Sequence, residues 1–134
     1  VLALILTRPD LTAKLLREGA LAPGLPKPVK LRAGDFAREE QGRLYAVLEE
    51  HAGEDLDAVL ADERTRPLMD GISALVARGE KLFPSEAGAR EAWLRLAILS
   101  RQSAKRRTPD YDAKERLHAE IRLLQDALRT VAGP

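Results

Sequence analysis

Hydrophobic residues recur along most of the chain at the spacing of one helix face. From Leu68 to Gly79 they follow one another at steps of four, three, one and three residues, which predicts an amphipathic helix starting at Pro67. Four further short helices are predicted upstream, at 1–6, 9–19, 35–53 and 54–63. The segment 20–33 contains three prolines, which a helix interior does not tolerate, and we expect it to be a surface connection.

The last third of the chain predicts two longer helices. Ser85 and Glu86 open a helix that ends at Arg107, because Pro109 prevents continuation. A second helix runs from near Asp112 to Val131, and its apolar residues alternate steps of four and three, as in a heptad seam. The seam residues are Leu117, Ile121, Leu124 and Leu128. Since only a short turn separates the two helices, they are expected to form an antiparallel hairpin.

These patterns predict an all-α fold in which a compact bundle of short helices, residues 1–99, precedes a helical hairpin, residues 100–134. Two helices alone cannot enclose a core. Ala119, Leu123 and Ala127 add apolar surface beside the seam. Either the bundle or another protein is expected to cover this surface, and the pattern does not distinguish the two.

Composition supports the helical interpretation and excludes several classes of protein. Ala and Leu make up 44 of 134 residues, whereas Val, Ile and Thr together number 15. Without cysteine the chain has no disulfides, no cysteine-ligated zinc and no thiol catalysis, which fits a reducing, cytoplasmic location. No uncharged run is long enough to span a membrane. The chain starts at Val1 inside an apolar run, and its only methionine is Met69, so we expect a fragment of a longer protein.

No catalytic constellation stands out in the sequence. His51 and His118 lie far apart among charged neighbours and are expected to be solvated surface residues. No glycine-rich phosphate loop is present, and the carboxylates occur where helix faces need solvating charge. We therefore predict no catalytic residues, no metal site and no cofactor.

Basic residues concentrate at the end of the chain. From Arg101 onward eight Lys and Arg face five Asp and Glu, while the whole chain has a net charge of only +1. The run 101–107 complements a helix dipole, and an acidic protein partner is the leading functional interpretation. Since no aromatic series is interleaved to stack on bases, at most weak direct contact with nucleic acid is expected.

Three segments, in chain order, resemble the C-terminal domain of bacterial DNA primase. Leu2–Leu6 followed by Pro9-Asp10-Leu11 resembles its opening helices, and Asp35-Phe36 with Leu44-Tyr45 and Leu48 is similar to the helix after its Pro-rich connection. Glu115-Arg116-Leu117, with Ile121, Leu124-Gln125 and Leu128, looks like its terminal helix. The resemblance covers the whole chain.

The resemblance implies a non-enzymatic role. In that family the C-terminal domain attaches primase to the N-terminal domain of the hexameric replicative helicase, and the catalytic domains lie upstream. The N-terminal domain of the helicase itself has a similar plan and is the main alternative, followed by an unrelated helical adaptor or DNA-binding module. The long Pro-rich connection 21–32 and the chain end just past the hairpin favour primase.

We expect the hairpin to supply most of the affinity for the helicase, because it has more apolar surface than its own seam uses. The seam residues are expected to form core within the hairpin. The residues predicted to contact the partner lie beside the seam or at the turn: Tyr111, Arg122, Leu123, Gln125 and Arg129.

Overall fold

A computed structural model describes residues 1–82 and 85–132. The described part of the chain contains seven α-helices and no strand, which confirms the all-α prediction. The helices are α1 (Leu2–Thr7), α2 (Pro9–Glu18), α3 (Glu39–Glu50), α4 (Leu56–Leu60), α5 (Met69–Gly79), α6 (Glu86–Arg107) and α7 (Tyr111–Ala132). Two 3₁₀ turns, Ala33–Asp35 and Glu63–Leu68, precede α3 and α5. Within the described ranges, no helix has both the length and the apolar character needed to cross a bilayer.

The helix ends follow local chemistry. Pro9 opens α2, where its missing N–H would have had no partner. Gly19 ends α2 with φ +88°, and a Cβ there would lie 2.7 Å from the carbonyl oxygen of Val29, so only glycine fits. The hydroxyl of Ser85 accepts a hydrogen bond from the N–H of Gly88 at 3.0 Å and caps α6 at the predicted position.

One hydrophobic core runs through the described molecule, with α6 at its centre. Trp93, Leu94 and Ala97 of α6 are fully buried. The core joins them to α1, whose residues Leu2–Leu6 are all buried, to α3 and to α7. The aromatic rings of Phe36, Tyr45 and Trp93 form a chain through this core, with centroid distances of 5.0 and 6.3 Å.

Three predicted helix starts were wrong, among them that of the fourth helix, which spans only Leu56–Leu60 rather than 54–63. The third helix begins at Glu39, because Asp35 lies in a 3₁₀ turn instead. One Asp35 oxygen accepts from the backbone N–H of Arg32 at 2.7 Å, and the other accepts from the hydroxyl of Ser100 at 2.6 Å. The fifth helix begins at Met69 rather than Pro67, because the segment Glu63–Leu68 forms a 3₁₀ turn stabilised by an Asp62 cap.

The Pro-rich connection 20–33 is not simply a surface segment, as the sequence had suggested. Ala20, Ala22 and Leu31 are buried in the core. An isolated antiparallel bridge pairs Ala20 with Val29, through N–H to carbonyl distances of 2.9 and 2.8 Å. The connection is thus a loop that this bridge closes, and the residues at its base pack in the hydrophobic core.

The hairpin of α6 and α7 pairs two helices of 22 residues each, and α7 packs mainly on α6. Ile121 and Leu124 are buried, while Leu117 and Leu128 are half-buried at the edge of the seam. Ala127 is buried too, so at this position the chain itself covers the apolar surface beside the seam, which is one of the two outcomes that the sequence left open. The proposed boundary between residues 99 and 100 falls inside α6, whose buried residues all precede it.

Candidate protein-docking surface

The five residues predicted to contact a partner lie on α7 with different degrees of exposure. Tyr111 is 72% exposed at the first position of the helix, and Leu123 is 46% exposed. Arg122 and Arg129 are exposed, and the guanidinium of Arg129 donates to Asp126 at 3.0 Å. Gln125 is half-buried. Each of them therefore presents some surface to solvent.

These residues do not form one patch. At 3.6 residues per turn, Tyr111, Arg122 and Arg129 share the face of α7 that points away from α6. Leu123 and Gln125 are about 200° apart around the helix axis and lie on opposite flanks. Each of these two residues lines a different groove. The structure thus divides the predicted surface into an outer face and two flanks.

On the Leu123 flank, α7 and the Pro-rich connection enclose a groove of about 390 Å³, which we call the connection groove. Its lining combines apolar and basic residues with one carboxylate, Glu120: Leu25, Pro26, Lys27, Pro28, Val29, Lys30, Arg32, Arg101, Glu120, Leu123 and Leu124. The sequence indicated Leu123 as exposed but did not indicate that the connection would stand beside it, since residues 25–32 are about ninety positions away in the chain.

On the Gln125 flank, α6 and α7 form a second groove of about 610 Å³, the basic groove. Its lining contains cations and amides but no carboxylate: Gln102, Lys105, Arg106, Lys114, His118, Ile121 and Gln125. The ammonium of Lys105 donates to Nδ1 of His118 at 3.0 Å. The side chains of the predicted basic run therefore lie on two flanks of the hairpin, because Arg101 lines the connection groove instead.

A third groove, of about 580 Å³, lies between α1 and α6, and the sequence did not indicate it. Leu75, Leu82, Leu96 and Leu99 contribute much of its apolar lining, and Leu99 is 60% exposed. The available signal was the density of leucine in α6, where Leu94, Leu96 and Leu99 cannot all share one face at helical spacing.

His51 is not the solvated surface residue that the sequence suggested. Its side chain is 23% exposed at the end of α3, with Nε2 3.0 Å from Asp62 and Nδ1 in contact with Glu54. Hydrogen bonds to Asp62 and Glu54 raise the pKa of His51 above its usual value. Arg64 continues the cluster by binding Asp62 and Glu50, and its hydrogen bonds hold the pKa of Asp62 well below its usual range. This cluster joins α3 to the 3₁₀ turn before α5.

Among residues 1–82 and 85–132, no three His, Asp or Glu side chains are arranged to hold a metal ion. No protein-family model, characterised protein or solved structure matches this chain. The candidate site is the surface of the hairpin, where the predicted contact residues and two of the grooves lie.

Proposed function

We propose that this chain is the non-catalytic helicase-binding domain of a bacterial DNA primase. It docks onto the N-terminal domain of the hexameric replicative helicase in the cytoplasm and modulates that helicase during primer synthesis. The observation that carries the proposal is the order of the helices along the chain. A bundle of short helices is followed by a hairpin of two 22-residue helices, as the resemblance implies.

The packing of α7 supports a docking role. The helix buries one stripe, with Ile121, Leu124 and Ala127 at its centre, and it packs mainly on α6. A large aromatic residue, Tyr111, and an aliphatic one, Leu123, remain exposed on the same helix. Tyrosine and arginine are among the residues that concentrate binding energy in protein interfaces, which favours Tyr111 and the exposed arginines of α7 as contact residues.

The proposal is tested by measuring the affinity of the full chain for the cognate hexameric helicase by biolayer interferometry. We expect the wild-type chain to bind. Arg122→Glu and Tyr111→Ala are expected to weaken binding at least tenfold each, about 1.4 kcal/mol. Arg43→Glu is the control, because Arg43 is exposed on α3 and lines neither of the two grooves beside α7. Absence of binding by the wild-type chain would refute the proposal.

A pull-down from a bacterial lysate separates this proposal from the alternatives. Recovery of the replicative helicase agrees with a primase domain, whereas recovery of primase would identify the chain as the N-terminal domain of the helicase. Fluorescence anisotropy with single-stranded and duplex DNA at physiological salt tests the third possibility. We expect no submicromolar binding, and tight binding would instead indicate a DNA-binding module.

A further inference from the structure

The connection groove has an apolar floor. Leu124 is buried there, Leu25 and Val29 are half-buried and pack on the core, and Leu123 is 46% exposed at the edge. With a volume of about 390 Å³, the groove is near the lower end of the range for ligand pockets. It therefore has the size for a few side chains of a peptide segment rather than for a folded element.

The rim of the groove is positively charged. The charge of Arg101 is compensated, because its guanidinium lies 3.6 Å from both Asp35 and Glu120. Lys27, Lys30 and Arg32 form no ion pair with another residue that the structure describes. Three exposed cations thus lie along the connection side of the groove and leave a net positive field at its mouth.

The part of the wall that carries Lys30 is fixed in place. The carbonyl of Val29 accepts hydrogen bonds from the N–H of Ala20 at 2.9 Å and from the indole of Trp93 at 2.8 Å. The hydroxyl of Tyr45 donates to the carbonyl of Leu31 at 3.2 Å. Because both ends of the segment from Val29 to Leu31 are held, a ligand entering the groove has little backbone to order, which favours binding.

We infer that the connection groove receives an acidic segment of the helicase that places an apolar side chain on the floor and carboxylates against Lys27, Lys30 and Arg32. This inference rests on the proposed function and names the chemistry of the partner at that site. Charge complementarity selects an acidic segment, since a neutral or basic one would leave the three cations uncompensated or repelled. The apolar floor selects a protein segment over nucleic acid, whose backbone offers charge but no aliphatic side chain.

The test compares two double variants of the full chain that change the net charge equally. Lys27→Glu with Lys30→Glu alters the rim, and Lys14→Glu with Lys81→Glu alters exposed lysines outside the groove. The apolar floor is tested by Leu123→Ala against Leu99→Ala, which is exposed on α6. Binding to the cognate helicase is measured by biolayer interferometry at low and high salt, after circular dichroism has shown equal helicity.

We expect the rim variant and Leu123→Ala each to weaken helicase binding at least tenfold, and the two controls to change the affinity less than twofold. High salt should weaken binding by the wild type more than binding by the rim variant. If the wild type binds and the rim variant binds as the control does, the acidic-segment inference is wrong and the proposed function stands. If the wild type does not bind, both fail. Tight binding of a single-stranded oligonucleotide that only the rim variant loses would assign the groove to nucleic acid and overturn the inference.

Discussion

The indole N–H of Trp93 donates a hydrogen bond to the carbonyl of Val29 at 2.8 Å, which joins the centre of α6 to the Pro-rich connection across 64 positions of the chain. Trp93 is 1% exposed and packs edge-on against Tyr45. The same carbonyl closes the bridge to Ala20. One side chain therefore fixes both the core and one wall of the connection groove.

Replacing Trp93 with Phe is expected to destabilise the protein by about 1–3 kcal/mol, because it removes the hydrogen bond to Val29 and leaves unfilled volume in the core. Urea denaturation followed by circular dichroism measures the change. Leu99→Ala is the control, and its exposed position predicts a change within about 0.5 kcal/mol. Equal effects of the two substitutions would contradict this account of the Trp93 contact.

Two glycines of α5 are expected to respond in opposite directions to alanine. A Cβ at Gly79 would lie 2.5 Å from Cγ2 of Thr7 and 2.9 Å from the carbonyl oxygen of Ala3, so Gly79→Ala should destabilise by about 1–3 kcal/mol through overpacking against α1. A Cβ at Gly71 meets no described atom within 4 Å, and Gly71→Ala should stabilise by about 0.5–1 kcal/mol through helix propensity. Thermal and urea unfolding of both variants give the comparison, and a stabilising Gly79→Ala would show that α1 and α5 do not pack this closely.

His51 is expected to make stability depend on pH. Its pKa is raised above 6.5 in the folded state by Asp62 and Glu54, so the protonated ring stabilises the fold fully below pH 6.5. This stabilisation is lost as the pH rises through the folded-state pKa. The difference in free energy of unfolding between the wild type and His51→Gln should therefore be larger at pH 5.5 than at pH 8.5.

The control for this prediction is Leu99→Ala, because the side chain of Leu99 is exposed and carries no titratable group. Its difference from the wild type should not show the same decline with rising pH. A difference for His51→Gln that is constant across the range, or that grows as pH rises, would rule out a protonated His51 held by the two carboxylates.

Truncation of a seam residue is expected to lower the free energy of unfolding more than truncation of its neighbour on the flank. Leu124→Ala should destabilise by about 2–5 kcal/mol, because Leu124 is 3% exposed and its truncation leaves a cavity between α6 and α7. Leu123→Ala should cost at most about 1 kcal/mol, since nearly half of its side chain already faces solvent. Similar losses for the two neighbours in urea denaturation would mean that Leu123 belongs to the core and cannot report on binding.

The sequence by itself determined the helices, because their signals are local. The start of α6 depends on the local cap formed at Ser85 and Glu86. The seam position of Ile121 and Leu124 depends on their spacing within a few turns of one helix. The predicted starts of α3 and α5 missed by a few residues, because a 3₁₀ turn precedes each helix: Asp35 lies in the first turn, and Asp62 caps the second. Asp35 also accepts a hydrogen bond from the hydroxyl of Ser100, a partner that no local pattern can specify.

Only the tertiary structure decided which surfaces lie side by side. Helical spacing placed Leu123 and Gln125 on opposite flanks of α7, but the cations opposite Leu123 come from a connection whose base is held by Trp93 and Tyr45. The environment of His51 likewise depends on Asp62, which lies eleven positions further along the chain and caps the 3₁₀ turn before α5. Local backbone preferences specify elements, whereas grooves and ion clusters form from side chains that are distant in the chain and meet only once the core has packed.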